Sequence, residues 1–219
     1  MTKHSLESPR QEGPNPIIWV VDDDLGVLRS IGFLLESVEL RVSTHSSAED
    51  FLKAYDPDLP GCIILDIRMP VTSGIGLQKR LLEMGSNHPI IFLTGHADVP
   101  TAVEIMRAGA LDLIQKPFPE QQLLDRVNLA LVKDVNARVE NETLKEVRNR
   151  LSTLTQREHQ VLRLVVLGRS SKAIAVDLRI SQRTVDVHRA RLMKKMGVTS
   201  ATKLVGMVLG VEDDRAGAS

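Results

Sequence analysis

Four kinds of side chain in the first half of the sequence are spaced so that they could act together. Asp22, Asp23 and Asp24 follow the apolar run Ile17 to Val21, and Asp66 follows Cys62 to Leu65. Thr94 ends the run Ile90 to Thr94, and Lys116 stands beyond Leu111 to Ile114, directly before Pro117. Carboxylates brought to one place repel one another. A hard cation relieves that repulsion, and Mg²⁺ prefers carboxylate and carbonyl oxygens while keeping several waters. A metal, a hydroxyl and an ammonium around a carboxylate form a cradle for a transferring phosphoryl group, whose charge spreads over three oxygens. In that chemistry Asp66 is the nucleophile and becomes an aspartyl phosphate. Singly, each residue has an ordinary structural explanation: acids cap helices, and Thr at a strand end or Lys-Pro in a turn is commonplace. The argument for a site is their order, at the ends of the first, third, fourth and fifth apolar runs.

The elements that must hold these residues are legible in outline. The four runs above and Leu40 to Ser43 are short, rich in Ile, Val and Leu, and bounded by polar or turn residues, as expected of strands covered on both faces. Helical patterns such as Val27, Ile31, Leu34 and Leu35 lie between them. Strands alternating with helices imply an α/β fold, a five-stranded doubly wound parallel sheet. Such sheets bind ligands outside the carboxyl ends of their strands. From Pro119 to about Arg150 the pattern is helical, and Leu144, Val147, Leu151 and Leu154 form a short heptad-like seam. That seam fits either a linker helix packing on its own domain or a coiled coil between protomers.

The chain has 219 residues, with 28 Lys and Arg balanced by 28 Asp and Glu. The balance conceals a division. Residues 1–149 carry 15 basic and 22 acidic side chains, whereas 150–210 carry 12 and 3. A merely solvated helix face carries mixed charge, so this excess reads as an electrostatic footprint for phosphates. The basic half reads as an all-α, four-helix unit. Val161, Leu162, Val165 and Val166 line the first helix, a short second helix runs through Lys172 to Leu178, Ser181 caps a third, and a fourth begins at Thr199 or Ser200. A helix pair followed by a cationic helix fits helix-turn-helix docking in the major groove of double-stranded DNA. Aromatic residues are absent from Leu151 onward, which disfavours stacking on single strands.

These segments resemble known families. VVDDD (Val20 to Asp24), ILDIRMP (Ile64 to Pro70), FLTGH (Phe92 to His96) and AGALDLIQKPF (Ala108 to Phe118) resemble the receiver domain of two-component response regulators. LTQRE (Leu154 to Glu158) and SQRTVDVHRARLMKKM (Ser181 to Met196) resemble the LuxR-type helix-turn-helix of the NarL/FixJ class. The first resemblance implies that Asp66 accepts phosphate from a sensor histidine kinase. It also implies that Asp23, Asp66 and the Arg68 carbonyl bind Mg²⁺, with Asp22 acting largely through water. By the same resemblance a flavodoxin-like fold is expected, Thr94 and Lys116 should contact the phosphoryl oxygens, and Lys116-Pro117 should be cis. Leu113 departs from the Tyr or Phe that many receivers carry there. The second resemblance makes the helix from Gln182 the reader of DNA. It implies that Asp186, Val187 and Ala190 face bases, that Arg183, Thr184, Arg189, Arg191 and Lys194 contact DNA mainly at phosphates, and that His188 packs or bonds to phosphate.

The reading that follows is a phosphorylation-controlled transcription regulator that forms a homodimer on phosphorylation and binds paired half-sites, with RNA polymerase as a further partner. Dimer contacts are expected at Val103, Met106 and Arg107, and on DNA at Leu204 and Val208. The expected boundaries are a disordered lead-in over 1–15, receiver 16–131, helical linker 132–151, DNA-binding unit 152–210 and disordered tail 211–219. Beyond the receiver's own phosphoryl transfer and dephosphorylation, no enzyme activity is expected. One rival is a haloacid-dehalogenase-type phosphatase, suggested by Asp22-x-Asp24, but Gly26 stands where that signature wants Thr or Val. Another is a constitutive DNA-binding protein with a vestigial receiver. The single cysteine, Cys62, reads as a small buried hydrophobe in a reducing bacterial cytoplasm. No apolar run approaches the ~20 residues of a membrane span.

Overall fold

The computed structural model describes residues 15–95 and 99–217, with 212–217 described by backbone alone. Nearly all of the expected lead-in, and His96 of the FLTGH motif, lie outside these residues. The chain folds as two compact units that divide between Ala137 and Arg138.

In the first unit, β1 (Ile17–Val21), β2 (Arg41–His45), β3 (Gly61–Asp66), β4 (Ile90–Thr94) and β5 (Asp112–Gln115) form one parallel sheet in the order β2-β1-β3-β4-β5. Side chains alternate between faces, and each face has its own core. Trp19, Ile63, Leu65 and Phe92 pack with Phe51, Leu77 and Ile105 on one side. Ile18, Val20, Ile64 and Leu93 pack with Leu35, Leu123 and Val127 on the other. The first face is covered by α2 (Ala48–Ala54), α3 (Gly74–Glu83) and α4 (Val99–Arg107), and the second by α1 (Leu25–Ser37) and the early part of α5 (Glu120–Ser152).

Double coverage explains why β1, β3 and β4 are apolar at almost every position. It does not extend to all five strands. Arg41 and Thr44 of β2 are exposed and β5 is only partly buried, because these two strands form the sheet edges. Cys62 is fully buried, and burial pushes its thiol far up in pKa, so it is inert. At the amino ends of the strands, the Tyr55 hydroxyl bonds both Ser86 Oγ (2.5 Å) and His88 Nδ1 (2.6 Å) under the edge of Trp19.

The second unit contains the end of α5 with α6 (Gln156–Val166), α7 (Ser171–Leu178), α8 (Gln182–Met196) and α9 (Ala201–Gly217). Thr155, Ser170 and Ser181 cap α6, α7 and α8, each accepting a backbone N–H with its hydroxyl. Val161, Leu162, Ile174, Val185, Leu192 and Met196 form the core. Val147 and Leu154 are buried in it, with Leu144 and Leu151 packed alongside, so the heptad-like seam serves its own unit.

Two expectations are corrected here. Leu204 is 0% exposed and Val208 7%, so both face the unit's own core and neither offers a dimer surface. Amphipathic spacing marks an apolar face without saying what covers it. The expected tail is also partly wrong, because α9 continues to Gly217 and Val211 is buried.

Candidate functional site

Parallel register brings the predicted chemistry to one edge of the sheet. Val21 pairs with Leu65, Asp66 with Leu93, and Thr94 with Gln115. Asp22, Asp66, Thr94 and Lys116 therefore all emerge at the carboxyl ends of adjacent strands. Lys116 links the carboxylates: its Nζ lies 2.5 Å from Asp22 Oδ2 and 2.7 Å from Asp66 Oδ1. Its backbone N–H donates to the Thr94 carbonyl at 2.7 Å, and the following peptide to Pro117 is cis.

The surroundings of these groups are polar but largely closed. Asp22, Asp66 and Thr94 are buried, whereas Asp23 is exposed. Asp22 Oδ1 accepts from the Asp24 N–H (2.9 Å) and Asp66 Oδ2 from the Arg68 N–H (2.6 Å). Burial raises the Asp22 carboxyl above its ordinary pKa, with the hydrogen bond from Lys116 opposing that rise. Burial pulls Lys116 down, and its bonds to Asp22 and Asp66 more than offset the pull, leaving it raised. The ammonium is thus firmly charged. Asp24 takes a separate role as the N-cap of α1, accepting from Gly26 and Val27.

An open cleft of about 550 Å³ adjoins this edge, lined in part by Asp23, Arg68, Ser73 and Thr101. The approach of α3 to this edge depends on a glycine. A Cβ on Gly74 would stand 2.2 Å from the Asp66 carbonyl oxygen, so α3 can begin this close to β3 only without a side chain. Among the described residues no three His, Cys, Asp or Glu side chains gather as a metal cluster. Mg²⁺ does not require one, since it takes one or two carboxylates and keeps its waters. A buried carboxylate pair beside an exposed third acid is an all-oxygen donor set that fits such an ion.

The residues expected from the sequence to contact DNA lie on α8. At about 100° per residue, Arg183, Asp186, Val187, Ala190, Arg191 and Lys194 share one side, and all are exposed. Val185, Leu192 and Met196 point into the core. Thr184 is also exposed, while Arg189 is half-buried toward the flank. His188 is half-buried, and its Nδ1 is enclosed without a hydrogen-bond partner. On α4, Val103, Met106 and Arg107 are exposed. Leu113 packs, partly buried, against the core beneath α4.

Sequence reasoning missed three polar groups. Glu158 is buried within a capping box, where its carboxylate accepts from the Thr155 N–H (2.8 Å) and from Lys195 Nζ (2.7 Å). The spacing Thr155-x-x-Glu158 is the signal that could have found it. Asp134 is buried on α5 and accepts at 2.9 Å from the N–H of Gly61, the first residue of β3. Arg150 donates to the carbonyl of Met196 at 2.7 Å. Nothing in the local sequence distinguishes Asp134 or Arg150 from solvated helix charges.

Residues 18–128 match the response regulator receiver domain, and residues 152–208 match the luxR family of bacterial regulatory proteins. The response regulator protein TmoT of Ectopseudomonas mendocina is 41% identical over 197 residues, covering 90% of each chain. The transcriptional regulatory protein FixJ of Rhizobium meliloti is 44% identical over 193 residues, 88% of this chain and 94% of that one. The solved response regulator StyR superposes with a TM-score of 0.79 at 41% identity, covering 89% of this chain and 98% of that one. Among the described residues no helix is long and apolar enough to cross a membrane. The chain belongs to the transcriptional response regulators that join a receiver domain to a LuxR-type DNA-binding domain.

Proposed function

We propose that Asp66 is the phosphoacceptor and that its phosphorylation, with a sensor histidine kinase as donor, controls DNA binding by α8. The observation that carries this reading is the Lys116 ammonium lying between Asp22 and Asp66 at 2.5 Å and 2.7 Å. A carboxylate oxygen of Asp66 attacks phosphorus while the bond from phosphorus to the donor imidazole breaks, and the imidazole nitrogen keeps the electron pair. Lys116 balances the charge that collects on the phosphoryl oxygens, and the Thr94 hydroxyl donates to one of them. Asp22, Asp23, Asp66 and the Arg68 carbonyl would hold Mg²⁺, which neutralises phosphoryl charge when bound. Hydrolysis of the aspartyl phosphate by the same domain resets the switch.

The new group carries nearly two negative charges and three strong acceptors, enough to draw Thr94 and Lys116 toward it and to bias α4. The exposed apolar face of α4, with Val103, Met106 and Arg107 around an open hollow of about 460 Å³, serves as the dimer contact. Dimerisation offers two α8 helices to paired half-sites. Asp186, Val187 and Ala190 contact bases, and Arg183, Thr184, Arg189, Arg191 and Lys194 hold backbone phosphates. The protein works in the bacterial cytoplasm and acts on transcription through RNA polymerase.

The test is incubation with acetyl phosphate and Mg²⁺, read by intact mass and by sedimentation. Wild type should gain one phosphoryl group per chain and shift toward dimer, and Asp66→Asn should do neither. Identical behaviour of the two proteins would overturn the assignment.

A further inference from the structure

The carboxyl end of α8 carries an arrangement that base and phosphate contacts do not use. Arg150, in the last turn of α5, donates from Nη1 to the carbonyl of Met196, the last residue of α8 (2.7 Å). In the opposite direction, Lys195 of α8 donates from Nζ to the carbonyl of Thr153, just past the end of α5 (2.8 Å). Each helix therefore caps the other with a cation, where terminal carbonyls lack intrahelical partners and the helix dipole favours positive charge. Both cations are held in place. Glu146 takes Arg150 Nη2 at 2.5 Å, and Glu158 takes Lys195 at 2.7 Å. Gly197 leaves room for the guanidinium: its φ is +67°, and a Cβ there would stand 2.4 Å from Arg150 Nη1.

We propose that Arg150 is a positioning residue for DNA recognition, locking the carboxyl end of α8 to α5 and so setting the angle at which α8 is offered to the groove. The proposal rests on α8 being the reading helix. That helix buries only Val185, Leu192 and Met196, a narrow stripe that fixes its distance from the core more firmly than its tilt. From Met196 back to Asp186 is roughly 15 Å at 1.5 Å per residue, so a tilt of about 10° at the lock displaces Asp186 by roughly 2.5 Å. A displacement of that size breaks a direct hydrogen bond. Arg150 itself is engaged by Glu146 and Met196, so its effect on DNA is indirect.

The experiment compares full-length wild type, Arg150→Met, Arg150→Lys and Gly197→Ala, each phosphorylated with acetyl phosphate and Mg²⁺. Affinity is measured for the duplex that wild type selects from a random pool and for random-sequence duplex, over a range of salt, with helix content followed by circular dichroism. Arg150→Met should bind the selected duplex about tenfold more weakly. Random duplex and the salt slope should not change, and Arg150→Lys should recover part of the loss. Gly197→Ala should reproduce the loss, and the double variant should be no worse than the weaker single one. A salt slope reduced by about one ion would make Arg150 a phosphate contact and overturn the proposal. Equal losses on selected and random duplex, additive effects of the two substitutions, or unchanged affinity would overturn it too. If wild type selects no duplex, the reading of α8 falls along with it. If wild type selects one that Arg150→Met binds equally well, the positioning role alone falls.

Discussion

Lys195 of α8 holds the buried Glu158 carboxylate of α6 at 2.7 Å, and the same carboxylate closes the capping box with Thr155. The bond from Lys195, aided by the Thr155 N–H, lowers Glu158 from an ordinary 4.5 to about 2. A depressed folded pKa contributes stability that is complete above the unfolded value and is lost as pH falls through the folded one. The second unit should therefore weaken as pH falls from about 4.5 to about 2. Chemical unfolding of wild type and Glu158→Gln across that window should give a shallower pH dependence for the variant.

Removing the cap itself should also be measurable. Thr155→Ala deletes the hydroxyl that accepts from the Glu158 N–H and should cost about 1 kcal/mol in urea unfolding.

Gly74→Ala tests the close approach of α3 to Asp66. The added Cβ would meet the Asp66 carbonyl oxygen at 2.2 Å, so backbone must shift at the site. The expected cost is about 1–3 kcal/mol in stability, together with slower labelling by acetyl phosphate.

Mg²⁺ should raise the melting temperature of the receiver by mass action, in proportion to the logarithm of its concentration once the site is filled. Asp22→Asn and Asp66→Asn each remove a buried carboxylate and should suppress that rise in a thermal titration. Asp50→Asn, remote on α2, should retain it.

Leu204→Ala discriminates core from interface. Leu204 is fully buried in the second unit, so truncation should cost about 2–5 kcal/mol in unfolding at any protein concentration. A loss that vanishes at high concentration would instead mark Leu204 as a contact between copies.

On α8 the two kinds of DNA contact should separate. Asp186→Ala should relax preference at one base position, and Lys194→Ala should weaken all duplexes alike while lowering the salt slope by about one. Binding-site selection and salt titration read these outcomes.

The acidic site was legible because β1, β3 and β4 are short, apolar on both faces and parallel, so residues following them must share an edge. The same rule overstated β2 and β5, since which strands become edges depends on their order in the sheet. Leu204 and Val208 were misassigned because periodicity locates an apolar face without naming its cover. Asp134 and Arg150 were invisible for a different reason. Each reaches a backbone group distant in sequence, the N–H of Gly61 and the carbonyl of Met196, and backbone groups leave no trace in side-chain chemistry.

Helix α4 has Ile105 as its single buried residue, while Val99, Val103 and Met106 face outward. Its carboxyl end is tied to α3 by Gln78, whose Nε2 reaches the Ala108 carbonyl at 3.2 Å while Oε1 stays buried and unpartnered. So shallow a foothold should let α4 open at a lower free energy than α1 or α3. Its amides should exchange with deuterated solvent ahead of those of α1 and α3, and proteases should nick there first. The element proposed to answer a new charge at Asp66 should thus also be the receiver's point of entry for local unfolding.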